Sequence, residues 1–321
     1  MKIIALMPVK NETWILRTTI PQLKLFADEI LALYTPSTDD TAEVLNSFGV
    51  LIKEQPYYPI NYSLWRQMLL DWGRERGGTH FIWLDADEAF TTNMLGEFRN
   101  HVSSLKPGQK LLLQWLCLWK NARHYREDDS VWSGLYKDFV FCDDGTSGFV
   151  GGSDLHEGRT PGSSSAERCV KLPLEKGAVL HFQFVPFDRF QMKQAFIRCL
   201  DYSVGKFSPG EINAKYAITL DDGKAQCMDI PLEWLKGIKG IDELKNIGVG
   251  GHYESLKGLF KEKGIRFFEP MQIWHIKQLR EEFINTVGRE PKPILKIPLM
   301  RRVKGRMQRE FGKIKDKVSK K

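Results

Sequence analysis

The first hundred residues alternate between short apolar runs and segments of helical period, and this pattern constrains the chain more than any other feature. Residues 3–9 form an apolar run closed by a polar Lys-Asn-Glu-Thr cluster, which predicts a buried strand ending in a loop. Residues 18–26 carry Ile20, Leu23 and Phe26 at helical spacing, and 29–34 predict a second strand broken by the turn-rich Thr-Pro-Ser-Thr-Asp-Asp-Thr. A short helix over 41–48, a third strand over 49–53 and a helix over 62–76 follow, the last with Leu64, Met68, Leu69 and Trp72 on one face. The apolar run 80–84 predicts a fourth strand that enters Asp85-Ala86-Asp87-Glu88 directly. Strands separated by helices imply right-handed βαβ units, hence an α/β fold with a mostly parallel sheet flanked by helices. Ligands of such sheets sit beyond the carboxyl ends of the strands. The polar clusters at 10–12, 35–41 and 85–88 all fall at that edge, where a site is expected.

The middle of the chain is less regular. Strands are expected over 110–119, 135–142 and 177–185, and a helix over 188–204. Between 142 and 167 lies a Gly/Ser/Asp-rich stretch, and a loop this long inside a compact domain usually serves binding or covers a site. Three regions are expected: a sheet domain over 1–205, a C-terminal extension over 206–291, and a basic tail over 292–321. Trp234 and Trp274 in the extension could stack on a ligand ring, but tryptophans of this kind more often belong to a core.

Composition excludes several classes. With 321 residues, 42% of them hydrophobic, the chain can bury a sizeable core and is neither disordered nor a small disulfide-stapled scaffold. The five cysteines are odd in number, widely spaced and without metal-binding spacing, which suits a reducing cytoplasm. The sequence has no run of about 18 uncharged apolar residues, so no membrane-spanning helix is expected. The six-residue apolar run near the N-terminus is too short for a signal-peptide core, so a cytoplasmic location is expected. The formal charge of +7 is unevenly placed: residues 292–321 carry twelve Lys/Arg against Glu310 and Asp316, while 1–291 carry 35 basic and 38 acidic groups, a net of −3. That distribution argues against a nucleic-acid footprint on the folded part.

Asp85, Asp87 and Glu88 carry the clearest chemistry. Carboxylates at the end of a buried strand can converge on a hard divalent cation, Mg²⁺ or Mn²⁺, which keeps positions open for phosphate oxygens. An acidic turn that is merely solvated is the plainer alternative; its place on the ligand edge favours the functional reading.

The first hundred residues resemble the nucleotide-binding half of a GT-A glycosyltransferase, in particular the large family 2 group. Three segments carry the resemblance: MKIIALMPVKNE is similar to the opening strand and P-x-x-N-E loop, EILALYTPSTDDT to the second strand and its D-D-G-S-T-D-G-T turn, and HFIWLDADEAF to the strand bearing the DxD motif. Firm over about 1–100 and plausible to about 205, it implies a GT-A fold with a C-terminal helical extension. It implies that Pro8, Asn11 and Glu12 border the nucleotide, that Asp85 sits near the ribose or the metal, and that Asp87 coordinates an Mn²⁺ or Mg²⁺ bridging the diphosphate. Where the family usually has paired aspartates the chain has Tyr34 and Thr35, so Thr35 meets the base differently. Ser37 and Asp39 match the family turn, although a cap before the helix at 41–48 would use the same residues.

An inverting transfer needs a base for the acceptor hydroxyl. The resemblance points to Glu157 in Leu155-His156-Glu157-Gly158, with Asp154 as its rival. His181 stands in an apolar strand, where a histidine is more often part of the core; the resemblance also offers it as a metal or diphosphate ligand. Arg159 and Lys137 are candidate diphosphate clamps.

In the tail, Met300, Val303, Met307, Phe311, Ile314 and Val318 recur at spacings of 3, 4, 4, 3 and 4 with basic residues on the other faces, a pattern that fits peripheral contact with an anionic membrane or packing on the protein itself. The expected function is a metal-dependent, inverting glycosyltransferase taking a sugar from a nucleotide-sugar donor to a glycan or lipid-linked saccharide acceptor. A nucleotidyltransferase would show a Gly-rich phosphate loop, and the first loop is Lys10-Asn11-Glu12. The alternative from another class is a non-catalytic nucleotide- or membrane-binding protein on the same fold.

Overall fold

A computed structural model describes residues 1–55, 61–130, 132–149, 158–162, 165–220, 223 and 225–293. In chain order its elements are β1 (Ile3–Val9), α1 (Thr13–Leu23), β2 (Glu29–Tyr34), α2 (Thr41–Ser47), β3 (Leu51–Glu54), α3 (Tyr62–Glu75), β4 (His80–Trp83) and β5 (Glu88–Phe90). There follow α4 (Leu95–Ser103), β6 (Lys110–Cys117), β7 (His124–Arg126), β8 (Tyr136–Cys142), β9 (Cys169–Lys171), β10 (Ala178–His181) and α5 (Phe187–Ser203). The last are α6 (Pro209–Lys215), β11 (Cys227–Asp229), α7 (Gly251–Lys263) and α8 (Lys277–Val287).

The chain divides into two compact units, one of residues 1–190 and 223–248, the other of 191–222 and 249–321. The first is built on a nine-stranded sheet of order β3-β2-β1-β4-β8-β6-β10-β5, with β9 beside β6. The pairs β3–β2, β2–β1 and β1–β4 are parallel. Strand β8 then enters antiparallel to both β4 and β6, so that two reversals restore the original direction in β6 and in its parallel neighbour β10. The carboxyl ends of β1, β2, β4 and β10 therefore share one edge. This mixed, mostly parallel sheet flanked by helices, with the C-terminal helices α7 and α8, is a Rossmann-like GT-A architecture.

Local sequence explains the elements. β1 is apolar at every position and nearly all buried, as a central strand covered on both faces must be. α3 begins at Asn61, whose side-chain oxygen accepts the amide of Leu64 at 3.0 Å. The first helix runs earlier than 18–26, over Thr13–Leu23, because the chain turns into it directly after Glu12. The strand expected over 177–185 stops at His181, where Phe182–Phe184 form a single helical turn.

In the first unit the sheet buries one core around Phe26, Phe90, Phe98 and Phe139 and another around Leu116, Phe182 and Trp234. The second unit is helical and closes over Met192, Phe260, Phe268, Trp274 and Phe283. Both tryptophans of the expected extension are thus core residues. Among the described residues no helix is long and apolar enough to cross a membrane. Residues 294–321, most of the basic tail, lie outside the described residues.

Candidate functional site

The edge at which β1, β2, β4 and β10 end is where the polar clusters converge. The loop after β1 is stitched to the loop after β2 by backbone-to-side-chain bonds. Asn11 donates its amide to Ser37 Oγ at 3.0 Å, and its own Oδ1 accepts the amide of Thr38 at 2.8 Å. Asn11 holds φ at 55°, a left-handed conformation that asparagine tolerates better than most residues. The amide of Glu12 donates to Thr41 Oγ1 at 2.9 Å, and the carboxylate of Glu12 accepts Trp14 Nε1 at 2.6 Å. Asp39 accepts the amide of Thr41 at 3.2 Å and that of Thr13 at 3.3 Å, which ties the entry of α2 to the entry of α1. Thr35 is buried, its amide bonded to the carbonyl of Val9 at 2.9 Å. Pro8, one residue inside β1, pairs with Leu33.

The acidic turn after β4 is closed by its own last residue. The amide of Glu88 donates to the carbonyl of Asp85 at 3.0 Å, and Glu88 Oε2 accepts the amide of Asp85 at 2.9 Å. Thr19 of α1 anchors the turn from behind by donating to the carbonyl of Ala86 at 2.8 Å. Glu88 is 1% exposed. Its Oε1 accepts Trp115 Nε1 at 2.6 Å, and Arg159 donates to both of its oxygens, at 2.6 and 2.8 Å. The same guanidinium donates to Asp85 Oδ2 at 2.9 Å. Burial pushes the Glu88 carboxyl up, opposed by the charge of Arg159. Arg159 itself is raised: burial works against its charge, and Asp85 and Glu88 outweigh it.

Asp87 points the other way. Its Oδ2 lies 3.4 Å from Nε2 of His181, and its carbonyl accepts the amide of Phe182 at 2.9 Å. Both side chains are largely buried. The His181 ring stacks on Trp115 with centroids 4.3 Å apart and an interplanar angle of 24°. Its Nδ1 is buried and has no partner among the described residues. Lys137 Nζ stands 3.1 Å from the centre of the Trp115 ring, and burial, reinforced by the nearby charge of Arg159, pulls its ammonium down to about 8.

Among the described residues no group of three or more His, Cys, Asp or Glu side chains is arranged to hold a metal ion. A two-group set does exist in Asp87 and His181. One carboxylate oxygen and one imidazole nitrogen fit a divalent ion that takes its remaining ligands from substrate phosphate and water. Asp85 is half-exposed with one oxygen spent on Arg159.

The structure thus brings Asp85, Asp87 and His181 together, with Arg159 and Lys137 beside them and Asn11, Glu12, Thr35 and Asp39 along the same edge. Arg159 is engaged by the acidic turn rather than left as an open anion clamp. Asp154 and Glu157 lie outside the described residues. Two residues at the site escaped sequence reasoning. Trp115 is one apolar side chain among many in β6, distinguished only by having an N–H to satisfy. Arg189, in the first turn of α5, donates to the carbonyl of Asn11 at 3.1 Å, and in sequence it reads as an ordinary surface charge.

No family model matches the chain, and no curated protein does. Solved structures give distant likenesses. One is S. aureus TarS, 14% identical over 38% of this chain and 22% of that one, with a TM-score of 0.29. A second is S. aureus TarS 1–349 in complex with UDP, 14% identical over 38% and 36% of the two chains, at 0.29. A third is the glucosyl-3-phosphoglycerate synthase of Mycobacterium tuberculosis in complex with Mn²⁺, UDP and phosphoglyceric acid, 18% identical over 36% and 43%, at 0.24. The chain spans less than half the length of each of these proteins, and the fold assignment rests on the strand order and the site on its own geometry.

Proposed function

We propose that the protein is a metal-dependent, inverting glycosyltransferase that moves a sugar from a nucleotide-sugar donor to a glycan or lipid-linked saccharide acceptor. The observation that carries this reading is the pairing of Asp87 with His181 at the carboxyl edge of the sheet, 3.4 Å apart and beside a turn that presents Asp85. Asp87 and His181 would hold Mn²⁺ or Mg²⁺, and Asp85 would border the ribose with its free oxygen. The ion, when bound, neutralises charge on the departing diphosphate. Pro8, Asn11, Glu12, Thr35 and Asp39 line the nucleoside side of the same edge, and the bonds between their loops keep that edge ordered before any ligand arrives. Lys137 is the freer of the two diphosphate candidates, because Arg159 is held by carboxylates. Glu157, with Asp154 as its rival, takes the proton from the acceptor hydroxyl as that oxygen attacks the anomeric carbon. Residues 292–321 give peripheral contact with an anionic membrane surface, where a lipid-linked acceptor would be found.

The test is a thermal-shift panel of UDP, GDP, ADP and CDP and their sugar conjugates, with and without Mn²⁺. Binding to the native state alone raises the melting temperature by mass action. A rise that needs Mn²⁺ and disappears in Asp87→Ala supports the reading and names the donor base. A flat panel sinks it and leaves a non-catalytic protein on the same fold.

A further inference from the structure

Two arginines reach the acidic edge of the first unit, and their charges are met in opposite ways. Arg159 spends its guanidinium on three bonds to Asp85 and Glu88. Arg189 is enclosed as well, at 8% exposure, and among the described residues makes a single hydrogen bond, from Nη2 to the carbonyl oxygen of Asn11 at 3.1 Å. Its guanidinium lies over the ring of Trp14, 5.1 Å from the centre. Among the described residues no carboxylate comes within ion-pair distance of it. An arginine carries five N–H donors, so four of these have no protein acceptor among the described residues.

Burial pulls the Arg189 guanidinium below its ordinary range, while Glu12, Asp39 and Asp87 draw it back up. These acids are near enough to be felt without touching it. Glu12 is turned instead to the indole N–H of Trp14, and Asp39 to the amides that open α1 and α2. A cation taken out of water without a contacting anion is costly, and an anion that pairs with it offsets that cost. The Asn11 carbonyl and the Trp14 face fix the position of this fork beside the edge that holds Asp87.

We propose that Arg189 is the diphosphate-binding arginine of the site, its unspent N–H groups pairing with phosphate oxygens of a nucleoside diphosphate, and that Arg159 is instead a positioning residue for the acidic turn. This assignment rests on the nucleotide-sugar reading above. A planar guanidinium suits phosphate because two parallel N–H donors meet two oxygens.

The test measures affinity by calorimetry for UDP, GDP, ADP and CDP in the presence of Mn²⁺, and for the matching nucleosides, in the full chain and in Arg189→Met and Arg189→Lys. The expected result is a loss of about tenfold or more in affinity for the responsive diphosphate in Arg189→Met, with its nucleoside bound as before. Arg189→Lys, which keeps the charge and loses the fork, should recover part of that loss. If Arg189→Met does not fold, Arg189→Lys decides alone, and a several-fold loss is expected. Unchanged diphosphate affinity in a folded variant, where the unmodified chain binds, overturns the assignment and leaves Arg189 as a brace for Asn11. Failure of the unmodified chain to bind any of the four diphosphates overturns both this assignment and the nucleotide-sugar reading.

Discussion

His181 Nε2 lies 3.4 Å from Asp87 Oδ2, and the backbone closes the same contact, since the amide of Phe182 donates to the carbonyl of Asp87. The contact is a product of topology. Strand β8 runs antiparallel to β4 on one side and to β6 on the other, which points β10 the same way as β4 and delivers its last residue to the edge where the acidic turn begins. The stacking of His181 on Trp115, itself bonded to Glu88, then fixes the ring on the far side.

If His181 is a ligand rather than a core ring, His181→Phe separates the two roles. Phenylalanine keeps the stacking on Trp115 and the volume, and removes the nitrogen facing Asp87. The melting temperature without ligand should stay within a few degrees, whereas Mn²⁺-dependent affinity for the responsive nucleoside diphosphate should fall by about tenfold to a hundredfold. Titration calorimetry with and without Mn²⁺ reads the difference, and equal affinities would return His181 to the core.

Gly73 in α3 makes a prediction about packing alone. A Cβ there would collide with Cε1 of Phe81, a fully buried ring of β4. Alanine is the better helix former by about 1 kcal/mol, yet Gly73→Ala should destabilise the protein, by about 1–3 kcal/mol, because the ring has no room to retreat. Urea denaturation followed by tryptophan fluorescence measures it. A gain in stability would mean that Phe81 repacks freely.

Lys137 gives a pH dependence of definite sign. Burial, reinforced by Arg159, lowers its ammonium from 10.5 to about 8 in the folded protein. Between these values the unfolded chain holds more protons than the native one, so the native state gains stability as pH rises through that window. Below pH 8 the cost of the buried charge is fully present. Lys137→Met should therefore raise the melting temperature at pH 7, with the advantage over the unmodified chain shrinking as pH climbs from 8 to 10.5. Thermal scans of the two proteins across that range make the comparison, and a pH-independent difference would show that Lys137 is not desolvated.

The parts of this site that can be read in sequence are those that follow from strand ends. Asp85 and Asp87 come directly after an apolar run, and Asn11 and Asp39 after two others, so their common edge follows from the βαβ alternation alone. His181 is recognisable as the end of a strand, but its partner depends on the reversed β8, which no local period announces. Glu88 looks like the outermost residue of a solvated turn and is in fact the most buried of the acids there, because its partners Trp115 and Arg159 come from distant segments. Arg159 is singled out by its place in a polar stretch, whereas Arg189, between Asp188 and Phe190, reads as an ordinary basic residue of a helix. What separates them is whether a carboxylate is within reach, and that is decided only by the packed structure.

Glu88 itself is the residue whose removal should cost most in stability. It accepts from Trp115 Nε1, from both terminal nitrogens of Arg159 and from the amide of Asp85, and its own carboxylate is buried. Glu88→Gln keeps the shape but removes the charge that Arg159 faces and turns an amide NH₂ toward two of its four donors. Breaking a buried pair from one side typically costs about 3–5 kcal/mol; Asp85 still holds one of the Arg159 nitrogens, so the expected loss is near the lower end, about 3 kcal/mol. The paired change Glu88→Gln with Arg159→Met removes the stranded cation and should recover part of that loss. Equilibrium unfolding of the two single variants and the double variant closes the cycle. A purely additive result would mean that the two side chains stabilise the turn independently, whereas a positive coupling makes the Arg159–Glu88 contact the clamp that presents Asp85 and Asp87 at the edge of the sheet.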